Sequence, residues 1–275
     1  MDTSKEIKNR YSKEALTYRR DAWMINIDAP MLFDEFRSIV RKLYPDKNTN
    51  LNILDLGAGN GMLTELILSE FPNADVTMLD FSEAMLESAK AIFETNNISL
   101  ENIKFIVSNF IIDEFPNEKY DLVISSYALH HVRNRKDLKT VYSKIASVLK
   151  DDGSFICLDN YLGEDTSERD KQVTIAFNKW TENYNSKEIA KEWAEIIKCE
   201  DTPATIAMIV SSLSECKKCL PFISSQVGVL AFIYGMTKLN FENFKSIGLE
   251  EYIGESKKYV GKEELISSYP FDKYL

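Results

Sequence analysis

The stretch Asp55-Leu56-Gly57-Ala58-Gly59-Asn60-Gly61 sets a carboxylate two residues before three alternating glycines. Glycines let a backbone turn sharply and come close to a ligand. The free N–H groups of such a turn and of the helix after it suit a nucleotide-like molecule. Asp80 closes a second apolar run and can accept from two hydroxyl donors at once. Asn109 offers a carbonyl that accepts and an NH2 that donates. His130 and His131 are the only histidines and are adjacent, so they are the candidates for proton transfer. Following a strand, their side chains should diverge, and His130 is expected to face the pocket. Cys216-Lys217-Lys218-Cys219 has C-x-x-C spacing. Zinc needs two more ligands and only Cys199 is near in sequence, so these thiols are expected at a helix end before a strand, with no metal.

These residues need elements to hold them. Residues 1–45 have the pattern of two helices. The first carries Ile7, Tyr11, Leu16 and Tyr18. The second starts near Asp28, a suitable N-cap, with Pro30 in its first turn and Leu32, Phe36, Val40 and Leu43 on one face. Ile53, Leu54 and Leu56 form a first strand, and Met62, Leu63, Leu66 and Ile67 a helix after the glycines. Val76–Leu79 is a second strand. Ser82 caps a helix bearing Met85, Leu86, Ala89, Ile92 and Phe93. Strands at Ile103–Val107 and Asp121–Ser125 follow, then a helix at Asp137–Leu149, a turn at Asp151-Asp152-Gly153 and a fifth strand at Ser154–Leu158. This alternation implies an α/β fold, a Rossmann-like, doubly wound and mostly parallel sheet. After Tyr161 the rhythm breaks into two helices, one with Val173, Ala176, Phe177 and Trp180, the other starting at Asn185 with Glu188 three residues on. Thr202-Pro203 starts a further helix. Leu220–Val227 and Val229–Thr237 are expected as an antiparallel pair. The expected organisation is an N-terminal helical cap at 1–45, a main domain at 46–238 with a helical insertion at 161–200, and an extension at 239–275.

The chain has 275 residues, 44% of them hydrophobic, enough for one full core. It carries 33 Lys and Arg against 43 Asp and Glu, a net charge of −10, which opposes nucleic-acid binding. No apolar run is long enough to span a bilayer, and the first residues lack the apolar segment of a signal peptide. A cytoplasmic protein with reduced cysteines is expected, without membrane contact. The aromatic-rich tail leaves a homodimer contact open.

The glycine spacing departs from the dinucleotide fingerprint, because Met62 stands where its third glycine would be. Asp55 to Gly61 instead matches in full the first motif of the class I S-adenosylmethionine-dependent methyltransferases, which the sequence resembles over residues 50–160 and more weakly to 238. Met78-Leu79-Asp80-Phe81-Ser82-Glu83-Ala84-Met85-Leu86 is similar to the family's next motif. Asn109 in Val107-Ser108-Asn109-Phe110 stands where Asp is frequent. Ser125-Ser126-Tyr127-Ala128-Leu129-His130-His131-Val132 resembles the fourth motif, in a Leu-His-His variant common in small-molecule branches. The resemblance implies a seven-stranded sheet whose last strand is antiparallel, lidded by the N-terminal helices and the insertion. It implies S-adenosylmethionine as cofactor, with S-adenosylhomocysteine as product. It places Asp55, Gly57, Ala58, Gly59, Asn60, Asp80, Phe81, Met85, Asn109, Phe110, Ser125, Tyr18 and Arg20 against that cofactor, with Asp80 on the ribose, Phe81 by the adenine and Asn109 on its amino group. His130 is the catalytic candidate.

The loop used on amino groups of bases and glutamine is absent, as is the Pro-Cys of pyrimidine C5 chemistry, so the resemblance implies methylation of an O, N or C centre of a small molecule. Phe177, Trp180, Tyr184 and Trp193 are expected around the acceptor or packed in helices. A non-catalytic cofactor-binding protein and a methyltransferase docking a protein through 239–275 stand as alternatives; an aminopropyl transferase or nicotinamide enzyme fits the motifs less well.

Overall fold

The computed structural model describes residues 9–10, 13, 15, 18–132, 134–224, 228–259, 269 and 271–275. Ile7, Tyr11 and Leu16 of the expected first helix lie outside them, as does the side chain of Arg20. Among the described residues one sheet is built from β1 (Asn52–Leu56), β2 (Asp75–Asp80), β3 (Ile103–Val107), β4 (Tyr120–Ser126), β5 (Leu149–Asn160), β6 (Leu220–Ile223) and β7 (Ala231–Thr237). Its order is β3-β2-β1-β4-β5-β7-β6, with β7 antiparallel to both neighbours. The chain leaves β1 toward β2 and β3, then crosses to β4 on the other side of β1. That reversal opens a crevice beyond the C-terminal ends of β1 and β4, where open parallel sheets bind ligands.

The period-two alternation of the strands explains both cores. Ile53, Val76, Met78, Leu122 and Ile124 point to one face, and Leu54, Leu56, Leu79 and Val123 to the other, all of them buried. Helices α1 (Tyr18–Ile25) and α2 (Ala29–Leu43) precede the sheet. In α2, Leu32, Phe36 and Val40 are buried on the first face, while Leu43 is only partly covered. Helices α3 (Met62–Glu70), α4 (Glu83–Thr95) and α5 (Arg135–Val148) link the strands. Ser82 caps α4 as expected, its Oγ accepting from the Met85 N–H. Among the described residues no helix is long and apolar enough to cross a membrane.

Three local expectations are corrected. Asp28 sits at the N-cap of α2 but makes no capping bond; its carboxylate accepts instead from the Leu230 N–H, 2.9 Å away. The turn expected at Asp151–Gly153 is the irregular first part of β5, where the register against β4 shifts between Tyr120 and Leu122. Asn185 does not start a helix. It closes α6 (Thr166–Tyr184) in the left-handed conformation at φ +48°, and Ser186 caps α7 (Lys187–Glu200) one residue later by accepting from the Ile189 N–H.

Helices α6 and α7 make their own core from Val173, Ala176, Phe177, Trp180, Ala190 and Ala194. They hold α1 by its C-terminal end: Trp180 Nε1 donates to the Ile25 carbonyl (2.9 Å) and Asn183 Nδ2 to that of Met24 (2.7 Å). The helix expected from Thr202 is α8 (Ile206–Ser214), capped by Thr205. Cys216 and Cys219 follow it before β6, as anticipated, and all four cysteines are free thiols. In the extension, α9 (Phe241–Ser246) and α10 (Glu250–Lys257) pack on the body. Phe244, Tyr252 and Ile253 enter the main core, and Ser256 Oγ donates to the Pro221 carbonyl of β6 (3.0 Å).

Candidate active site

The glycine turn sits at the C-terminal end of β1 and leads into α3. Gly57 has φ +71°, a conformation that L side chains rarely adopt, and a Cβ built there would lie 2.5 Å from Ala128 Cβ. Its N–H and that of Ala58 donate to the Leu79 carbonyl, which ties the turn to the end of β2. Asp80 is thereby brought beside it. One carboxylate oxygen accepts from the Gly59 N–H and the other from the Ser82 N–H, each at 2.8 Å. These bonds fix the carboxylate at the rim of a cavity of about 390 Å3.

The floor and one wall of that cavity are the turn itself, Gly57 to Asn60, with Asp80, Phe81 and Met85. Asn109, Phe110 and Ile111 close the side after β3. Asn109 Oδ1 accepts from the Ile111 N–H at 3.0 Å, which shapes this loop. Across the cavity, α1, α2 and the link between them supply Tyr18, Ala22, Trp23, Asn26 and Phe33. The loop after β4 supplies Ser126, Tyr127, Ala128 and His131. Tyr127 is held at φ +49°, unusual for an aromatic residue, and its buried hydroxyl has no hydrogen-bond partner among the described residues.

Asp55 lies beneath the turn, 1% exposed, and accepts a 2.5 Å bond from Thr64 Oγ1 of α3. It does not line the cavity. Burial pushes its carboxyl up to about 7, against the Thr64 bond and helped by the nearby charge of Asp80.

The two histidines do not diverge as expected: their ring centroids lie 4.1 Å apart, and it is His131, not His130, that meets the cavity. Leu129–His131 is a 3-10 turn. His131 lines the large cavity, whereas His130 is turned under the loop, 7% exposed. His130 Nδ1 lies 2.5 Å from Asp159 Oδ1, and its Nε2 lies 3.4 Å from Asp201 Oδ1. Asp159 comes from β5, and Asp201 follows α7. Neither was singled out in the sequence, because nothing local marks an acid that closes a contact across the fold. Burial alone would lower the His130 imidazole, but Asp201 and Asp159 outweigh it and push it up to about 10. Burial and the adjacent His130 push His131 down to about 3. His131 is therefore a neutral, weakly basic wall of the cavity.

Residues 53–153 match the family described as methyltransferase domain. The chain is 30% identical over 174 residues to malonyl-[acyl-carrier protein] O-methyltransferase 2 of Ilyobacter polytropus, covering 60% of this chain and 57% of that protein. It is 39% identical over 112 residues to demethylmenaquinone methyltransferase of Lactococcus lactis, covering 40% and 42%. Residues 53–153 are a methyltransferase domain. Its fold is shared with human N-acetylserotonin methyltransferase solved with S-adenosylmethionine (TM-score 0.53, 18% identity, 83% of this chain and 57% of that one). It is shared too with an O-methyltransferase family 2 protein of Planctomyces limnophilus solved with apigenin (TM-score 0.58, 15% identity, 84% and 62%). The chain spans about half the length of the curated relatives it matches.

Most residues expected against the cofactor come together around one cavity: Gly57 to Asn60, Asp80, Phe81, Met85, Asn109 and Phe110 from the methyltransferase domain and, from α1 before it, Tyr18. Ser125 does not join them; it is fully buried and its Oγ donates to the Leu56 carbonyl, so Ser126 and Tyr127 take its place. Arg20 lies outside what is described of the cavity, while the neighbouring Arg19 pairs with Glu65 at 2.6 Å. The aromatics considered for the acceptor are elsewhere. Trp180 and Phe177 pack in the insertion, Phe177 stacked on Tyr274, and Tyr184 stacks on Trp193. Their helical spacing was that of a core face. Trp23 and Phe33 line the cavity instead, Trp23 from α1, which Trp180 and Asn183 anchor by its C-terminal end, and Phe33 from α2.

Proposed function

We propose that this chain transfers a methyl group from S-adenosylmethionine to an O, N or C centre of a small molecule held above the glycine turn. The observation that carries this reading is the single cavity that gathers the turn, the Asp80 rim and the α1 wall. Its volume of about 390 Å3 lies within the range of roughly 300–1,000 Å3 usual for small-molecule sites. The residues present fit the cofactor. The turn has no side chain where a Cβ would collide with Ala128, and a carboxylate stands fixed at the strand end. When bound, the cofactor supplies an electrophilic methyl on a sulfonium.

Asp80 would accept from the ribose hydroxyls, oriented beforehand by the Gly59 and Ser82 N–H groups. Phe81 and Phe110 offer apolar faces for a flat base, and Tyr18 a polar edge from the lid. Trp23, Phe33 and Tyr127 give the remaining wall its apolar surface, with Asn26, Ser126, His131, Asn134 and Asp137 as polar points, which favours a partly apolar acceptor. Helix α1, pinned by Trp180, keeps water from the reacting centre, and alignment does much of the work in a displacement of this kind. The net charge of −10 supports a small molecule over a nucleic acid, and four free thiols support a cytoplasmic setting.

Calorimetric titration with S-adenosylhomocysteine tests the reading. Saturable one-to-one binding is expected, weakened at least tenfold by Asp80→Ala. No heat of binding, or an Asp80→Ala variant with wild-type affinity, would overturn it.

A further inference from the structure

Behind the loop after β4, three residues from separate parts of the chain turn ligand atoms toward one point. The nitrogen and oxygen atoms offered by His130, His131 and Asp201 all lie within 4.8 Å of one another. His130 Nε2 is 3.4 Å and His131 Nδ1 3.7 Å from the same oxygen, Asp201 Oδ1. An ion bound tetrahedrally at about 2.0–2.1 Å spaces its ligand atoms about 3.3 Å apart. Two of the three edges are close to that spacing.

The surroundings have the form of an outer coordination shell. His130 presents Nε2 because its other nitrogen, Nδ1, is held by Asp159 at 2.5 Å. Asp159 is fixed in turn by the backbone N–H groups of Leu129 (2.7 Å), His130 (3.0 Å) and Asn160 (2.8 Å). His131 is hydrogen-bonded to the Glu200 backbone. Metal-ligating histidines are oriented in this way, through a carboxylate or a backbone group on the second nitrogen. Asp159 and Asp201 bring two buried carboxylates, 1% and 6% exposed, whose charge a dication balances. Arg10 lies nearby with its Nε donating to Glu200 at 2.8 Å. A small cavity of about 60 Å3 adjoins His130 and Asp201, larger than the roughly 30 Å3 share of one water, so a further ligand has room.

We propose that His130, His131 and Asp201 form a binding site for a transition-metal dication, Zn2+ or Fe2+. Two imidazoles and one carboxylate suit these ions, whereas Mg2+ and Ca2+ prefer oxygen throughout. Because Asp201 caps α7 and His131 lines the large cavity, the ion joins the insertion to the cavity wall. The proposal does not depend on methyl transfer.

The test uses the full chain, treated with a chelator and titrated with Co2+ in the spectrometer and with Zn2+ in the calorimeter. One ion per chain is expected. The cobalt bands should be those of nitrogen and oxygen ligands, with no thiolate charge-transfer band. Affinity should fall at least tenfold in Asp201→Asn and stay unchanged in the Cys216→Ser/Cys219→Ser double variant. Absence of binding tighter than millimolar by the wild-type chain overturns the site, and that result does not depend on any variant folding. So does a thiolate band, or binding that a folded Asp201→Asn keeps at full strength.

Discussion

Gly57→Ala should separate backbone strain from steric overlap at the turn, with Gly248→Ala as its reference. Both glycines have nearly the same φ, +71° and +73°. A Cβ at Gly248 meets nothing within 4 Å, so Ala there suffers the left-handed conformation alone, about 1–2 kcal/mol. Restriction of the unfolded chain returns about 0.4–1 kcal/mol, leaving a net loss of about 1 kcal/mol. A Cβ at Gly57 lies 2.5 Å from Ala128 Cβ, more than 1 Å inside the carbon–carbon optimum of about 3.5–4.0 Å. Ala128 sits on the loop after β4, itself held by Asp159 through the Leu129 N–H, so it cannot yield freely. Overpacking of this kind adds about 1–3 kcal/mol. Gly57→Ala should thus lose about 2–4 kcal/mol in all. Urea unfolding at equal slope reads the difference; with a slope of about 2 kcal/mol per molar, the midpoint of Gly57→Ala should fall about 1–2 M below wild type and that of Gly248→Ala about 0.5 M below. Calorimetry should find S-adenosylhomocysteine binding impaired only in Gly57→Ala. Equal midpoints for the two variants would refute the account of the turn as a crowded contact between β1 and the loop after β4.

Asp55→Asn should change the pH dependence of stability. The folded carboxyl is pushed up to about 7 by burial, above its ordinary value of 3.8. Between those values the folded chain binds a proton that the unfolded chain does not, so this group's contribution declines as pH rises from about 4 to about 7 and is flat beyond. The span is on the order of 4 kcal/mol at most. The variant's stability relative to wild type should therefore be higher at pH 8 than at pH 5; a parallel offset at both would show that Asp55 titrates normally. Tyr127→Phe removes a buried hydroxyl without a partner among the described residues and should leave stability within about 0.5 kcal/mol of wild type. Tyr142→Phe removes a hydroxyl bonded to that of Tyr234 at 3.1 Å and should cost about 1 kcal/mol. Equal losses in thermal melts would mean that Tyr127 has a partner in solution.

Much of this molecule was legible in local pattern. The strands and helices from residue 52 to 160 followed from period-two and helical spacing, because each buries one face against a layer that repetition supplies. The glycine turn, Asp80 and Asn109 sat at strand ends, and a parallel sheet brings the C-terminal ends of its strands to one edge whatever the details of packing. Caps such as Ser82 were legible because the bond they make spans three residues. Asp28 stands at its expected N-cap but makes no capping bond, and the cap at Asn185 was misplaced, for the complementary reason. Asp28 is drawn to Leu230, far along the chain, and Asn185 lies one residue before a serine that caps equally well.

The sequence by itself therefore determined the sheet, its layers and the rim on which a cofactor would sit. Only the tertiary structure decided which histidine meets the cavity and which aromatics line it. His130 is turned away because Asp159 and Asp201 arrive from β5 and from the end of α7, and a buried imidazole goes where its charge is answered. Trp23 faces the cavity while Trp180 does not, because the Trp180 indole N–H has its acceptor in α1 and holds that helix beside the cavity. Contacts between elements distant in sequence set these choices, and no periodicity within one element records them.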